Sequence, residues 1–188
     1  MTDITHPELV AALVKPGTVI ANEMTPSEAD LWHAATGVCG EAIEILDANM
    51  TALIDSRPID LVNLVEELGD MEFYLEQTRQ NLAITREETT HLVGIRGSMG
   101  SFPESAALAV VGGDLLDAAK KVVIYKKPAE RANFVMILAS IEMVLENIRA
   151  AAGIDREVTL TENIAKLSVR YAGLTYSNTA AQERADKA

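Results

Sequence analysis

The chain has 188 residues, 48% of them hydrophobic, which is enough for one compact domain with a substantial core. Its net charge of −12 argues against a nucleic-acid polymer or an anionic membrane as partner, since both would repel it. A single cysteine excludes an intrachain disulfide, and with neither a long apolar run nor a signal-like N-terminus we expect a soluble, cytoplasmic protein.

The first long helix is predicted to begin at Thr25-Pro26-Ser27-Glu28, which combines an N-cap, a proline at the first helical position and a capping-box glutamate. It should end near Ser56-Arg57-Pro58. Apolar residues recur between these signals at helical spacing and predict the buried face. They are Leu31, Val38, Ile43, Leu46 and Leu53.

A second helix is predicted from about residue 60 to 82, with Leu64, Leu68 and Leu75 along one stripe. Thr85-Arg-Glu-Glu88 resembles another capping box, which would open a shorter helix toward Ile95. Glycines, serines and a proline then predict a linker at about 97–103.

The sequence beyond the linker repeats the sequence before it. Shifted by 70 residues, the stretch from Glu44 to Thr89 aligns without a gap, with 16 identities in 46 positions. Chance would give about three. We therefore predict an all-α fold: one domain, 1–188, with a four-helix-bundle-like core of two tandem helical repeats related by pseudo-two-fold symmetry. Repeat 1 would span about 25–96, repeat 2 about 104–171, and the tail 172–188.

Two pairs of carboxylates stand out in the first repeat: Glu41 with Glu44, and Glu67 with Asp70. Acids three residues apart share one face of a helix, and either pair alone is more typical of a solvated face. Bringing both pairs together in a groove is costly unless a cation neutralises them. Because oxygen-only clusters suit hard divalent ions, the four acids predict a site for Mg²⁺, with Mn²⁺ as a possible substitute.

The second repeat has lost three of these acids and with them the metal site, since Val111, Asp114, Ile137 and Ser140 occupy the equivalent positions. It carries amide and basic residues where the first repeat has few. We therefore expect one composite site, in which the first half holds metal and the second half holds phosphate oxygens. The candidates in the second half are Lys120, Lys121, Asn163, Lys166 and Arg170. The neighbouring acids Glu66 and Glu72 are expected to face solvent.

With these motifs assembled, the chain resembles the all-α nucleoside triphosphate pyrophosphohydrolases, the MazG-like group that includes the dimeric dUTPases, and phage-encoded members in particular. The resemblance rests on a Glu-x-x-Glu and Glu-x-x-Asp signature, which Glu41, Glu44, Glu67 and Asp70 match with 22 residues between the pairs. It extends to Asn163-x-x-Lys-Leu-x-x-Arg-Tyr171 and to a tail from Tyr176 to Asp186. In the family the two motifs share one repeat, whereas here they lie in opposite halves.

The resemblance implies Mg²⁺-dependent hydrolysis of a (deoxy)nucleoside triphosphate between the α and β phosphates. Lys166 and Arg170, with Lys120 or Lys121, would bind phosphate oxygens, and Asn163 would fix the sugar or a phosphate. Glu41 or Glu44 would assist as general base. Trp32 and His33 are candidates for bordering the base, although packing in the core is the commoner role of such residues. A phage-encoded enzyme would act in the host cytoplasm.

Two alternatives stay open at the level of sequence. A nucleotide sensor would keep the metal site and bind a nucleotide without hydrolysing it. A purely structural bundle would serve assembly and would need neither metal nor nucleotide. The duplication would supply the dimer interface within one chain, while further pairing of chains into a homodimer is left open.

Overall fold

The structure, a computed structural model, describes residues 4–92 and 104–187, and its regular elements there are all helical. The predicted linker at 97–103 and the approach to Ile95 lie outside the described residues. Among the described helices, none is both long and apolar enough to cross a membrane. The elements are α1 (His6–Leu13), α2 (Gly17–Glu23), α3 (Pro26–Ile54), α4 (Leu61–Leu82), α5 (Arg86–Thr90), α6 (Glu104–Val123), α7 (Arg131–Ala152), α8 (Arg156–Arg170), α9 (Asn178–Glu183) and a 3-10 turn (Ala185–Lys187).

The helix starts predicted from capping signals are confirmed. Thr25 accepts a hydrogen bond from the Glu28 amide, and the Glu28 carboxylate accepts one from the Thr25 amide. Thr85 forms the same capping box at the start of α5. Asp60 caps α4 by accepting from two backbone amides. Each cap satisfies amides that the first helical turn leaves without partners, so the helix starts are set locally.

The core lies between α3, α4, α6 and α7. Helix α3 packs along both α4 and α6, while α7 packs on α6, and α8 closes against α4. The buried apolar side chains include Val38, Ile45, Leu68, Met71, Leu75, Leu108, Leu115, Phe134, Leu138, Ile141 and Leu145. Of the α4 stripe, Leu64, Leu68 and Leu75 are all buried, as predicted.

The predicted buried face of α3 is wrong in two positions: Ile43 is 54% exposed and Leu53 is 73% exposed. Small residues occupy much of the buried face instead, among them Ala34, Ala35 and Ala42. A Cβ added at Gly112 of α6 would lie only 3.3 Å from that of Ala42, so the helices approach closely there. Hydrophobicity alone underestimates such an alanine-lined contact.

The 70-residue offset recurs in the described elements. Helices α4 and α7 occupy equivalent positions in the two halves. The residues that follow them, Ala83 and Gly153, both adopt the left-handed conformation, as do Ser56 and Lys126 at the ends of α3 and α6. These correspondences agree with a duplication, which stays an interpretation of the sequence.

Buried ion pairs cross between the halves. The Arg79 guanidinium contacts the Glu142 carboxylate, and Arg149 Nη1 donates to Glu72 Oε1 over 3.0 Å. Arg156 adds two hydrogen bonds of 2.7 Å to Glu72. The expectation that Glu72 faces solvent was therefore wrong: only 2% of this residue is exposed. It is buried because three nitrogen donors satisfy its charge there.

Candidate functional site

Three of the four predicted acids converge between α3 and α4. Glu41 comes from α3, and Glu67 and Asp70 lie one turn apart on α4. One carboxylate oxygen from each lies within 4.8 Å of the others. All three are partly buried and line a cleft of about 340 Å³. Glu44, one turn along α3, lines the same cleft but is exposed and outside the tight cluster.

The cluster holds more negative charge than its surroundings neutralise. Burial, followed by the charges of Asp70, Glu44 and Glu67, raises the pKa of Glu41 to about 8. Burial and the Glu44 charge also raise the pKa of Glu67. Glu41 is therefore protonated near neutral pH and shares a hydrogen bond with Glu67. A divalent cation would relieve this repulsion, so the donor set fits Mg²⁺ or Mn²⁺.

The second half contributes two donors to Asp70. Asn163 Nδ2 donates to Oδ1 over 2.7 Å, and Lys166 Nζ donates to Oδ2 over 2.5 Å. Both donors lie on α8, which approaches α4 at Gly69. The structure thus brings carboxylates from one half together with an amide and an amine from the other.

Arg170, at the end of α8, lines the cleft as well. Its Nε and Nη2 atoms donate to the two carboxylate oxygens of Asp186 over 2.6 and 2.7 Å. The difference between the two repeats identified Arg170 as a candidate but gave no indication of this partner in the tail.

Two basic residues of the tail, Arg184 and Lys187, also line the cleft, and sequence reasoning missed both. Lys187 Nζ donates to Glu66 Oε2 over 2.6 Å, and Lys166 Nζ lies 3.4 Å from the other oxygen of Glu66. In the sequence the two cations alternate with Glu183 and Asp186, a mixed pattern that does not reveal where the tail folds back.

Lys120 and Lys121 are not among the residues that line the carboxylate cleft. Both pair with Asp117 on their own helix, at 2.5 and 2.6 Å. Lys121 instead lines a cleft of about 390 Å³ in the second half, together with Asp114 and Asn133. That cleft occupies the position equivalent to part of the first-half site.

His33 approaches the site through Tyr74, which lines the cleft. The two rings meet edge to face with centroids 5.7 Å apart, and His33 Nδ1 lies 3.4 Å from Gln77 Nε2. The Tyr74 ring packs over Gly37, where a Cβ would lie 2.4 Å from it. Trp32 is partly buried and does not line the cleft.

A second cleft, of about 500 Å³, shares Glu44 and Glu67 with the first. Its other polar lining residues were not predicted from the sequence and are Asp47, Thr51, Arg57, Asp60 and Asn63. The two clefts meet at the carboxylates, so a ligand with an anionic chain and a polar body has room on both sides of them.

A scan against protein-family models, a search of curated proteins and a search of solved structures each find no match to this chain.

Proposed function

We propose that this chain is a Mg²⁺-dependent nucleoside triphosphate pyrophosphohydrolase that cleaves a (d)NTP between the α and β phosphates. One observation carries the proposal: the crowded carboxylates of Glu41, Glu67 and Asp70 share a cleft with basic side chains from the other half of the chain. A cation beside the acids and an anion beside the bases would satisfy both sets of charges.

Glu41, Glu67 and Asp70 would hold the cation, with Glu44 at the rim of the cleft. When bound, Mg²⁺ would neutralise charge on the phosphate chain and acidify an adjacent water. Asn163 orients the Asp70 carboxylate through its hydrogen bond. Lys166 and Arg170 would bind phosphate oxygens. To do so, Lys166 must give up part of its contact with Asp70, and Arg170 part of its contact with Asp186.

The reaction requires a group that accepts the proton of the attacking water. We assign this role to Glu44, because it is exposed in the cleft and no described side chain donates a hydrogen bond to it. The water oxygen would form a bond to the α phosphorus while the bond from that phosphorus to the bridging oxygen breaks. The products are a nucleoside monophosphate and pyrophosphate, and the water proton goes to Glu44.

The test is pyrophosphate release from a panel of NTPs and dNTPs, with and without Mg²⁺. We expect Mg²⁺-dependent release that Glu67→Gln lowers at least about a hundredfold, because the variant loses a cation ligand. Glu162→Gln is the matched control, since Glu162 is an exposed residue outside the carboxylate cleft. A folded wild-type chain that releases no pyrophosphate from any triphosphate would contradict the proposal.

A nucleotide sensor is the second candidate, and the contacts of the basic residues favour considering it. Lys166 is paired with Asp70, and Arg170 with Asp186, so the protein's own carboxylates already occupy these cations. A sensor would exchange these pairs for a nucleotide and stop there. Saturable nucleotide binding without pyrophosphate release identifies this case.

A further inference from the structure

The C-terminal tail is fixed to the candidate site by one buried carboxylate. Most of residues 172–187 are exposed, yet the side chain of Asp186 is only 2% exposed. It accepts two hydrogen bonds from Arg170, in the parallel geometry typical of strong arginine–carboxylate pairs. This ion pair holds the end of the tail against the last turn of α8, beside the carboxylate cleft.

The ion pair places two cations of the tail in the cleft. Arg184 ends α9 in the left-handed conformation, with φ of 47°, and the chain turns there toward Asp186. Arginine adopts this conformation at a cost, which contacts elsewhere in the tail must offset. Among the described residues, no carboxylate oxygen lies within 4 Å of the Arg184 guanidinium, although its charge helps to lower the pKa of Asp186. Lys187 lines the same cleft and is paired with Glu66.

We propose that Arg184 and Lys187 bind phosphate oxygens of the ligand, and that the Arg170–Asp186 ion pair positions them. The inference rests on the proposed function and deepens it, because it gives the tail a direct part in recognising an oligophosphate. The exposed Arg184 has a planar guanidinium that suits two phosphate oxygens at once. Lys187 would exchange Glu66 for a phosphate oxygen, at little cost for a half-exposed pair.

The charge of the cleft supports this assignment. Five carboxylates line it: Glu41, Glu44, Glu66, Glu67 and Asp70. The cations that line it are Arg170, Arg184 and Lys187, so two of the three come from the tail. Without the two tail cations, five carboxylates and Arg170 alone would line the cleft, which is a strongly acidic surface for an oligophosphate.

Calorimetric binding of inorganic tripolyphosphate, with Mg²⁺, to the full-length chain tests the inference without requiring turnover. We expect Arg184→Gln and Lys187→Gln each to weaken binding about tenfold, as for loss of one charge-assisted hydrogen bond. Asp186→Asn should weaken it similarly by releasing the tail. Lys127→Gln removes an exposed cation outside the cleft and should change affinity less than about twofold.

Hydrogen exchange without metal or ligand tests the ion pair separately. Asp186→Asn should accelerate amide exchange over residues 178–187, while Arg184→Gln should not, because Arg184 does not hold the tail. If the three tail variants bind tripolyphosphate as tightly as wild type, the inference is overturned and the proposed function stays intact. The same holds if Lys127→Gln loses as much affinity as the tail variants do. A wild-type chain that neither binds tripolyphosphate nor releases pyrophosphate overturns both.

Discussion

Glu41 is the residue whose chemistry depends most on its neighbours. Its spacing to Glu44 is visible in the sequence, but its proximity to Glu67 and Asp70 depends on how α3 packs on α4. That packing raises its pKa to about 8, so the folded chain holds a proton that the unfolded chain releases near pH 4.5. The folded state therefore loses stability as pH rises from about 4.5 to 8.

The first prediction follows from this loss of stability with rising pH. In EDTA, Glu41→Gln should unfold at higher urea concentration than wild type at pH 8 to 9, because glutamine needs no ionisation. The difference should shrink as the pH falls to 4.5 and below, where wild-type Glu41 becomes protonated in the unfolded state as well. Adding Mg²⁺ should reverse the order at high pH, since a cation that binds the folded state stabilises it. Parallel pH profiles for the two proteins in EDTA would contradict the assignment.

At the scale of single helices, capping residues predicted where elements start, because a cap is a local exchange of hydrogen bonds. The position of α8 against α4 was not predictable in this way. It depends on Gly69, where a Cβ would lie 2.9 Å from Asn163 Cβ and 3.0 Å from the Thr159 carbonyl oxygen. The sequence predicted α4 and identified Asn163 as a candidate, but not the contact that places Asn163 beside Asp70.

Gly69→Ala should therefore displace α8, because the Thr159 backbone has little freedom to move. We expect a loss of about 1–3 kcal/mol in the free energy of unfolding and a reduced affinity for tripolyphosphate. Gly113→Ala is the matched control: it lies within α6 and its added Cβ would meet nothing within 4 Å. Alanine there should stabilise the chain by about 0.5–1 kcal/mol. Urea titration measures both, and a Gly69→Ala chain as stable as wild type would refute the close-contact argument.

At the scale of the whole molecule, buried ion pairs join the two halves across α4 and α7. Each half supplies an arginine to the glutamate of the other, so the pairing exists only once both halves have packed. The 70-residue shift aligns Glu72 with Glu142 and Arg79 with Arg149, yet from the sequence alone Glu72 was expected to face solvent. The alignment shows which residues are equivalent, whereas burial of a charge depends on partners far away in sequence.

The strength of this connection gives the last prediction. Glu72→Gln keeps the side-chain shape but leaves the guanidiniums of Arg149 and Arg156 without their shared carboxylate. Only 3% of the Arg149 side chain is exposed, and its one remaining partner would be the half-exposed Glu146 at 3.2 Å. We therefore expect a loss of about 3–5 kcal/mol. Glu162→Gln, an exposed change on α8, should cost within about 0.5 kcal/mol. A Glu72→Gln loss below about 1 kcal/mol in urea unfolding would mean that the ion pairs of Glu72 contribute little to joining the halves.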